Sequence, residues 1–152
     1  MPELLMSNDS RSAVATSQVT QTASVPIRLV FDGGSRGNPG QGYGSYQLTV
    51  RGKQEAPRQL EFGDNYTSNQ AEYDTLIAAL EAIVRCASDP ARVQLEILGD
   101  SELVIKQITG EYKVKAPHLQ QRVRRVHELL GQLGSWTATW HARANSVKAF
   151  GH

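Results

Sequence analysis

The chain has 152 residues, a formal net charge of +1 and a single cysteine. This length suits one domain, and a single cysteine excludes an intramolecular disulfide. A near-neutral charge gives no sign that the chain as a whole binds nucleic acid. The sequence has no apolar stretch that could span a membrane, and its start lacks the features of a secretory or transit peptide.

The first 24 residues differ in composition from the rest. They are rich in Ser, Thr, Gln and Ala and contain no aromatic residue, so we expect a disordered tail over residues 1–24 and one folded domain over residues 25–152. Cys86 shares a predicted helix with several apolar residues, which predicts a core or boundary position. A lone thiol fits a reducing compartment, and we expect a monomer in the cytoplasm.

The apolar run at residues 27–31 predicts a buried strand that ends at Asp32, and a glycine-rich segment with a turn at 38–40 follows it. Alternating patterns at 42–50 and 58–63 predict two further strands of an antiparallel meander. Thr67 and Gln70 then have the spacing of a capping box at the start of a helix that ends near residue 88.

The second half of the chain alternates differently. A strand at 93–97, a helix that stops at Gly110, a helix over 119–130 and a strand at 136–141 come next, and residues 145–152 allow only a short helix. The order βββαβααβα predicts an α/β fold with a five-stranded mixed sheet and helices on its faces. The first and fourth strands should be parallel neighbours, because a helix connects the meander to the fourth strand.

Three acidic residues occupy special positions in this arrangement. Asp32 and Asp100 each end one of the two parallel strands, and Glu72 is expected in the first turn of the first helix. Taken singly, Glu72 could be a favourable charge in the first turn of a helix, and Asp100 could be a helix N-cap. If the three share one edge of the sheet, their repulsion requires a cation, and oxygen ligands without a His or Cys cluster indicate Mg²⁺ or Mn²⁺.

Residues 106–125 are more basic than the rest of the chain. This segment contains Lys113, Lys115 and an arginine-rich run from 122 to 125. It is equally compatible with a surface that faces phosphates and with one solvated helix face.

Three sequence blocks, DGGSRGNPGQGYG, TSNQAEY and GDSELVIKQITGEYKVKAP, resemble the signature blocks of type 1 ribonuclease H of the bacterial kind, in the same order. The resemblance covers residues 26–143. It implies a ribonuclease H-like fold and a metal-dependent endonuclease that cuts the RNA strand of RNA–DNA hybrids, leaving 5′-phosphate and 3′-hydroxyl ends with two divalent ions. Asp32, Glu72 and Asp100 match the first three metal-binding acids of that family.

The resemblance also implies a set of nucleic-acid contacts. These positions carry small, amide or basic side chains, which suit a wide minor groove that displays 2′-hydroxyls and its flanking phosphates. Those that match family positions are Asn38, Thr67, Ser68, Asn69 and Gln70; from the residues themselves we add Gly33 and Gly34, whose backbone can approach the groove, and the basic Lys113 and Lys115.

The end of the chain departs from the family. The family's fourth acid is an Asp near the start of a final helix, yet no Asp or Glu follows Glu128 here. We favour Asn145 at this position, because an amide oxygen can still bind a metal, with Ala149 or Phe150 as the alternative alignment. His141 follows the last strand too closely for the family's mobile histidine loop and is expected to be an ordinary strand-end residue.

Two alternative functions stay open at this point. One is a hybrid-binding module that has lost catalysis with the fourth acid. The other is a transposase- or integrase-type nuclease of the same fold, which the hybrid-contact residues between 67 and 70 disfavour.

Overall fold

The computed structural model describes residues 23–143 together with residues 145 and 150. The predicted tail lies almost wholly outside the described residues, and so does most of the predicted final helix. The described part contains six strands and three α-helices. In chain order these are β1 (Val25–Gly37), β2 (Gly40–Val50), β3 (Lys53–Gln54), β4 (Arg58–Tyr66), α1 (Ser68–Cys86), β5 (Val93–Gly99), α2 (Glu102–Ile108), α3 (Pro117–Leu130) and β6 (Ser135–Trp140).

The strands form one mixed sheet, as predicted. Its order is β3-β2-β1-β5-β6, and β4 pairs with β2 beside β3. β1 is antiparallel to β2 and parallel to β5, and β5 is parallel to β6. The predicted parallel pairing of the first strand with the strand after the first helix is therefore confirmed. The additional strand, β3, has two residues and lies between β2 and β4, where the sequence predicts no strand.

The core lies between one face of the sheet and the helices. In β1 the side chains of Ile27, Leu29 and Phe31 are buried and Arg28 is exposed, as the two-residue period of a strand requires. Buried residues of α1, α2 and α3 join the same hydrophobic cluster, so the described helices cover this face. On the opposite face Arg28 forms an ion pair with Glu96 at 3.0 Å.

The helix starts exclude the two simple structural explanations for the acids. The predicted capping box of α1 is present, with the Thr67 hydroxyl accepting from the Gln70 amide at 3.2 Å. Glu72 is the fifth residue of α1, so it is not a first-turn charge. Ser101 caps α2 by accepting from the amide of Val104 at 3.3 Å, so Asp100 is not the cap.

Cys86 is exposed, and the prediction of a core or boundary position is wrong. The residues of α1 that enter the core include Leu76, Leu80 and Ile83. At 3.6 residues per turn, Cys86 points roughly 90° away from that stripe. Among the residues described, no helix is both long enough and apolar enough to cross a membrane.

Candidate active site

The register of two parallel strands places Asp32 beside Asp100. Phe31 of β1 is paired with Gly99 of β5, and each acid follows its paired residue directly. Gly99 makes room for the ring of Phe31, because a Cβ at position 99 would lie 2.7 Å from that ring. The two carboxylates therefore share one edge of the sheet, where parallel strands end and ligands commonly bind.

Glu72 reaches this edge because α1 lies very close to β1. A Cβ on Gly33 would lie 2.8 Å from the carbonyl oxygen of Ala71 and 2.9 Å from the amide nitrogen of Glu72, so only glycine fits between strand and helix. The backbone amide of Gly33 acts on the Glu72 carboxylate and favours its charged form, which lowers its pKa. The glycine after Asp32 thus allows Glu72 to lie close to Asp32.

The three carboxylates form one compact, shielded cluster. Asp32, Glu72 and Asp100 each offer an oxygen within 4.8 Å of the others, and their side chains are almost completely buried. Within the described part of the chain, Oε1 of Glu72 has no hydrogen-bond partner. Burial, followed by the charges of Asp32 and Asp100, holds the pKa of Glu72 well above its usual range, although the Gly33 amide and Arg143 act in the opposite direction.

This arrangement fits a hard divalent cation. Two unit charges 4.8 Å apart repel by about 3.5 kcal/mol at an effective dielectric constant of about 20, and the cluster contains three such pairs when fully ionised. Three carboxylates that face one another supply the oxygen ligands that Mg²⁺ and Mn²⁺ prefer.

The sequence reasoning missed a basic residue at the same site. Arg143 follows β6, and its Nη1 lies 3.3 Å from Oδ2 of Asp100 and 3.9 Å from Oδ1 of Asp32. Its side chain is 62% exposed, so the guanidinium lies on the solvent side of carboxylates that are 1–3% exposed. No motif marks this position, because the contact depends on how the chain turns after the last strand.

The end of β6 fixes that turn against Asp100. The backbone amide of His141 donates to the carbonyl of Gly99 at 2.9 Å, which extends the ladder between β5 and β6 by one bond. The indole of Trp140 donates to the carbonyl oxygen of Asp100 at 3.0 Å. His141 is therefore placed as a strand-end residue, in agreement with the sequence-based expectation.

The predicted nucleic-acid contacts at the start of α1 are joined to the β1–β2 turn. Oδ1 of Asn38 accepts from the amide of Ser68 at 3.2 Å, and Asn38 is exposed at the tip of the turn. The side chain of Gln70 accepts from the amide of Thr67 at 2.9 Å. Asn69 is half-buried beside them. These two hydrogen bonds hold the β1–β2 turn and the start of α1 together near Glu72, and the nucleic-acid role of these residues stays a prediction.

The structure gives both predicted glycine contacts a packing role. Gly33 permits the approach of α1, as described above. Gly34 is buried, and a Cβ there would lie 2.7 Å from the hydroxyl of Tyr43. Their contact with nucleic acid is untested and stays a prediction.

The basic segment divides into two groups. Lys113 and Lys115 are exposed and take part in no ion pair within the described residues. Arg122, in contrast, binds Asp74 through its Nε at 2.8 Å, and this hydrogen bond is the main cause of its raised pKa. Arg125 pairs with Glu81 at 3.0 Å. Arg122 and Arg125 therefore already have carboxylate partners, which favours the solvated-face alternative for these two, and phosphate contact by the 122–125 run stays a prediction.

The fourth acidic position of the family falls within residues 144–152, of which the structure describes residues 145 and 150. Asn145 lies two residues after Arg143 and is exposed. Its backbone amide donates a hydrogen bond to the carbonyl oxygen of Ala142 at 2.9 Å. Of the alternatives, Ala149 lies outside the described residues and Phe150 is half-buried. The assignment of Asn145 stays a prediction.

Comparisons with known proteins agree with the geometry. A family model described as "Reverse transcriptase-like" matches residues 31–150. The crystal structure of RNase H1 from Halobacterium salinarum is 40% identical, with a TM-score of 0.71, and the match covers 79% of this chain and 88% of that one. The chain belongs to the ribonuclease H family.

Two further relatives share the ribonuclease H fold. The N-terminal RNase H domain of a Mycobacterium tuberculosis protein is 31% identical with a TM-score of 0.74, covering 82% of this chain and 88% of that one. LC11-RNase H1, solved in complex with an RNA/DNA hybrid, is 28% identical with a TM-score of 0.74, covering 80% and 89%.

The curated relatives are longer than this chain. Ribonuclease HI of H. salinarum is 41% identical over 126 residues, which is 81% of this chain and 60% of the relative. The bifunctional M. tuberculosis protein is 36% identical over 124 residues, and the chain spans 33% of its length.

Proposed function

We propose that this protein is a divalent-metal-dependent endonuclease that hydrolyses the RNA strand of RNA–DNA hybrids and leaves 5′-phosphate and 3′-hydroxyl ends. The observation that carries this proposal is the cluster of Asp32, Glu72 and Asp100, whose oxygens lie within 4.8 Å of one another at the end of the parallel strands. Such a cluster is unfavourable without a cation, so its presence in a ribonuclease H fold supports metal-assisted phosphodiester hydrolysis.

The three acids would hold Mg²⁺ or Mn²⁺, with Asn145 as a neutral oxygen ligand at the fourth position. When bound, two such ions supply the positive charge that an in-line phosphoryl displacement requires. This chain's own groups keep the ligands in place. The Gly33 amide orients Glu72, and the Trp140 indole fixes the backbone of Asp100.

The choice of an RNA–DNA hybrid rests on the segment before Glu72. Asn38 and residues 67–70 present amide and hydroxyl groups, which can bond to 2′-hydroxyls and base edges in a wide minor groove. The similar fold of LC11-RNase H1, which was solved with an RNA/DNA hybrid, supports this choice. Lys113 and Lys115 would contact flanking phosphates.

A cleavage assay on matched duplexes tests the proposal. The full chain is incubated with end-labelled RNA–DNA, DNA–DNA and RNA–RNA duplexes of one sequence, with MgCl₂, MnCl₂ or EDTA. We expect cleavage of the hybrid's RNA strand alone, dependence on metal, and 5′-phosphate ends that a ligase accepts. Asp100→Asn should abolish cleavage while leaving the fold intact, whereas Glu55→Gln, an exposed site of equal charge change, should cut normally. Cutting of plain DNA, or normal turnover by Asp100→Asn, would refute the proposal.

A hybrid-binding module without catalysis is the second candidate, and two observations favour it. No acid follows Glu128 in the sequence, and the guanidinium of Arg143 lies against the carboxylates. This candidate predicts tight, metal-independent binding of the hybrid and no cleavage at any metal concentration. The domain limits of 25–152, the monomeric state and the cytoplasmic location stay predictions.

A further inference from the structure

Arg143 is a basic side chain that the structure places in contact with two acids of the carboxylate cluster. Its Nη1 lies 3.3 Å from Asp100 and 3.9 Å from Asp32, so a single guanidinium bridges the ends of both parallel strands. The two acids are almost completely buried, and the guanidinium is mostly exposed. Arg143 therefore covers the carboxylates from the solvent side.

The position of this arginine is built into the fold. The pairing of β6 with β5 continues through the hydrogen bond that the backbone amide of His141 donates to the carbonyl of Gly99. The indole of Trp140 donates a hydrogen bond to the carbonyl oxygen of Asp100. Arg143 lies only two residues beyond His141. These contacts leave the arginine within reach of Asp100 because the backbone before it is fixed to the same strand end.

We propose that Arg143 is the internal counter-ion of the carboxylate cluster and that a divalent cation must displace it to bind. The guanidinium neutralises part of the repulsion among the three acids when no metal is present. A divalent cation would bind the same carboxylate oxygens as the guanidinium. Because both are positively charged, they repel each other when they bind these oxygens at the same time. Displacement costs metal affinity, and it leaves a cation at the mouth of the site, where a phosphate of the substrate would approach.

The competition rests on the metal site of the proposed function, whereas the counter-ion role in the metal-free protein does not. Four proteins test the metal competition and the counter-ion role separately. They are wild type, Arg143→Gln, Arg143→Lys and the control Arg85→Gln. Arg85 is exposed, makes no ion pair within the described residues, and lies about 20 Å along α1 from Glu72. The control therefore changes the net charge equally without touching the site.

Calorimetric titration with MnCl₂ at low salt measures the competition. We expect Arg143→Gln to bind Mn²⁺ about tenfold more tightly than wild type, which is the scale expected for a partly solvated charge contact. Arg143→Lys should stay near wild type because it keeps the charge, and Arg85→Gln should not differ. Equal affinity of wild type and Arg143→Gln would overturn the competition and leave the proposed metal site standing.

Thermal melts in EDTA measure the counter-ion role independently of metal. Arg143→Gln should melt at a lower temperature than Arg143→Lys, and the difference should shrink as NaCl is raised, because salt screens an exposed charge. A melting temperature of Arg143→Gln equal to that of wild type would overturn the counter-ion role. Failure of all four proteins to bind Mn²⁺ would overturn the proposed function and the competition together, and the melts in EDTA would still decide the counter-ion role.

Discussion

Replacing Glu72 by Gln should stabilise the metal-free protein. Glu72 takes part in two of the repulsive pairs, so its charge costs about 7 kcal/mol at an effective dielectric constant of about 20, before the Gly33 amide and Arg143 offset part of it. The Glu72 carboxylate can avoid this cost by binding a proton. The cost therefore cannot exceed about 1.4 kcal/mol for each unit by which the pH lies above the usual carboxyl pKa. We therefore expect Glu72→Gln to gain about 2–4 kcal/mol at pH 8, or roughly 5–15 °C in melting temperature.

The gain should depend on pH with a defined sign. Because the pKa of Glu72 is raised by folding, the folded state binds more protons than the unfolded state between the usual carboxyl pKa of 4.5 and the raised value. Stability of the metal-free wild type should therefore fall as pH rises through that window. Glu72→Gln lacks this titration, so its advantage should be near zero at about pH 4.5 and widen towards pH 8.

Thermal melts by circular dichroism in EDTA, from about pH 4.5 to 8, measure this effect. Glu55→Gln is the matched control, because Glu55 is exposed and makes no ion pair in the part of the chain that the structure describes. Added MgCl₂ should reverse the order, since the wild type gains more from metal than the variant does. An advantage of Glu72→Gln that stays constant with pH, or no advantage at pH 8, would show that Glu72 is not in a repulsive cluster.

Three further predictions address the packing, the substrate surface and the fourth ligand. Gly33→Ala should cost about 1–3 kcal/mol and reduce cleavage, because the added methyl group meets the backbone of α1; an unchanged melting temperature would contradict this. Replacing Lys113 and Lys115 by Gln should weaken hybrid binding and flatten its salt dependence by a slope of about two, and an unchanged slope would leave them as solvated residues. Asn145→Asp should lower the metal concentration needed for half-maximal cleavage and Asn145→Ala should raise it, and superimposed titration curves would exclude Asn145 from the metal site.

The pair of strand-end acids could be predicted from the sequence because both depend on strong local patterns. Two apolar runs that each end in an acid, with a helix between them, allow few arrangements once the crossover rule makes the strands parallel. The observed register, Phe31 opposite Gly99, then places Asp32 beside Asp100. The capping box at Thr67 was equally predictable, since its two bonds join residues three positions apart.

The remaining features depend on contacts between distant segments. Arg122 is 48 residues from its partner Asp74, so no sequence window distinguishes a paired arginine from one that faces phosphates. Arg143 is 43 residues from Asp100, and its role depends on the ladder that fixes the end of β6. The exposure of Cys86 depends on an angle around α1 that a cluster of apolar neighbours does not define.

The construction of the site also explains why this cluster can persist in a folded protein. Asp32 and Asp100 are held by strands whose neighbouring residues Leu29, Phe31 and Ile97 are completely buried, and Glu72 is held by a helix that Gly33 admits to within contact distance. Separating the acids would require pulling these elements out of the core, where fully burying each large apolar side chain is worth about 1.5–3 kcal/mol. The repulsion therefore cannot relax by moving the backbone, and protons, the guanidinium of Arg143 or a bound cation can relieve it. A rigid cluster of this kind would bind a divalent ion without the cost of assembling its ligands, which is what the proposed metal-dependent nuclease requires.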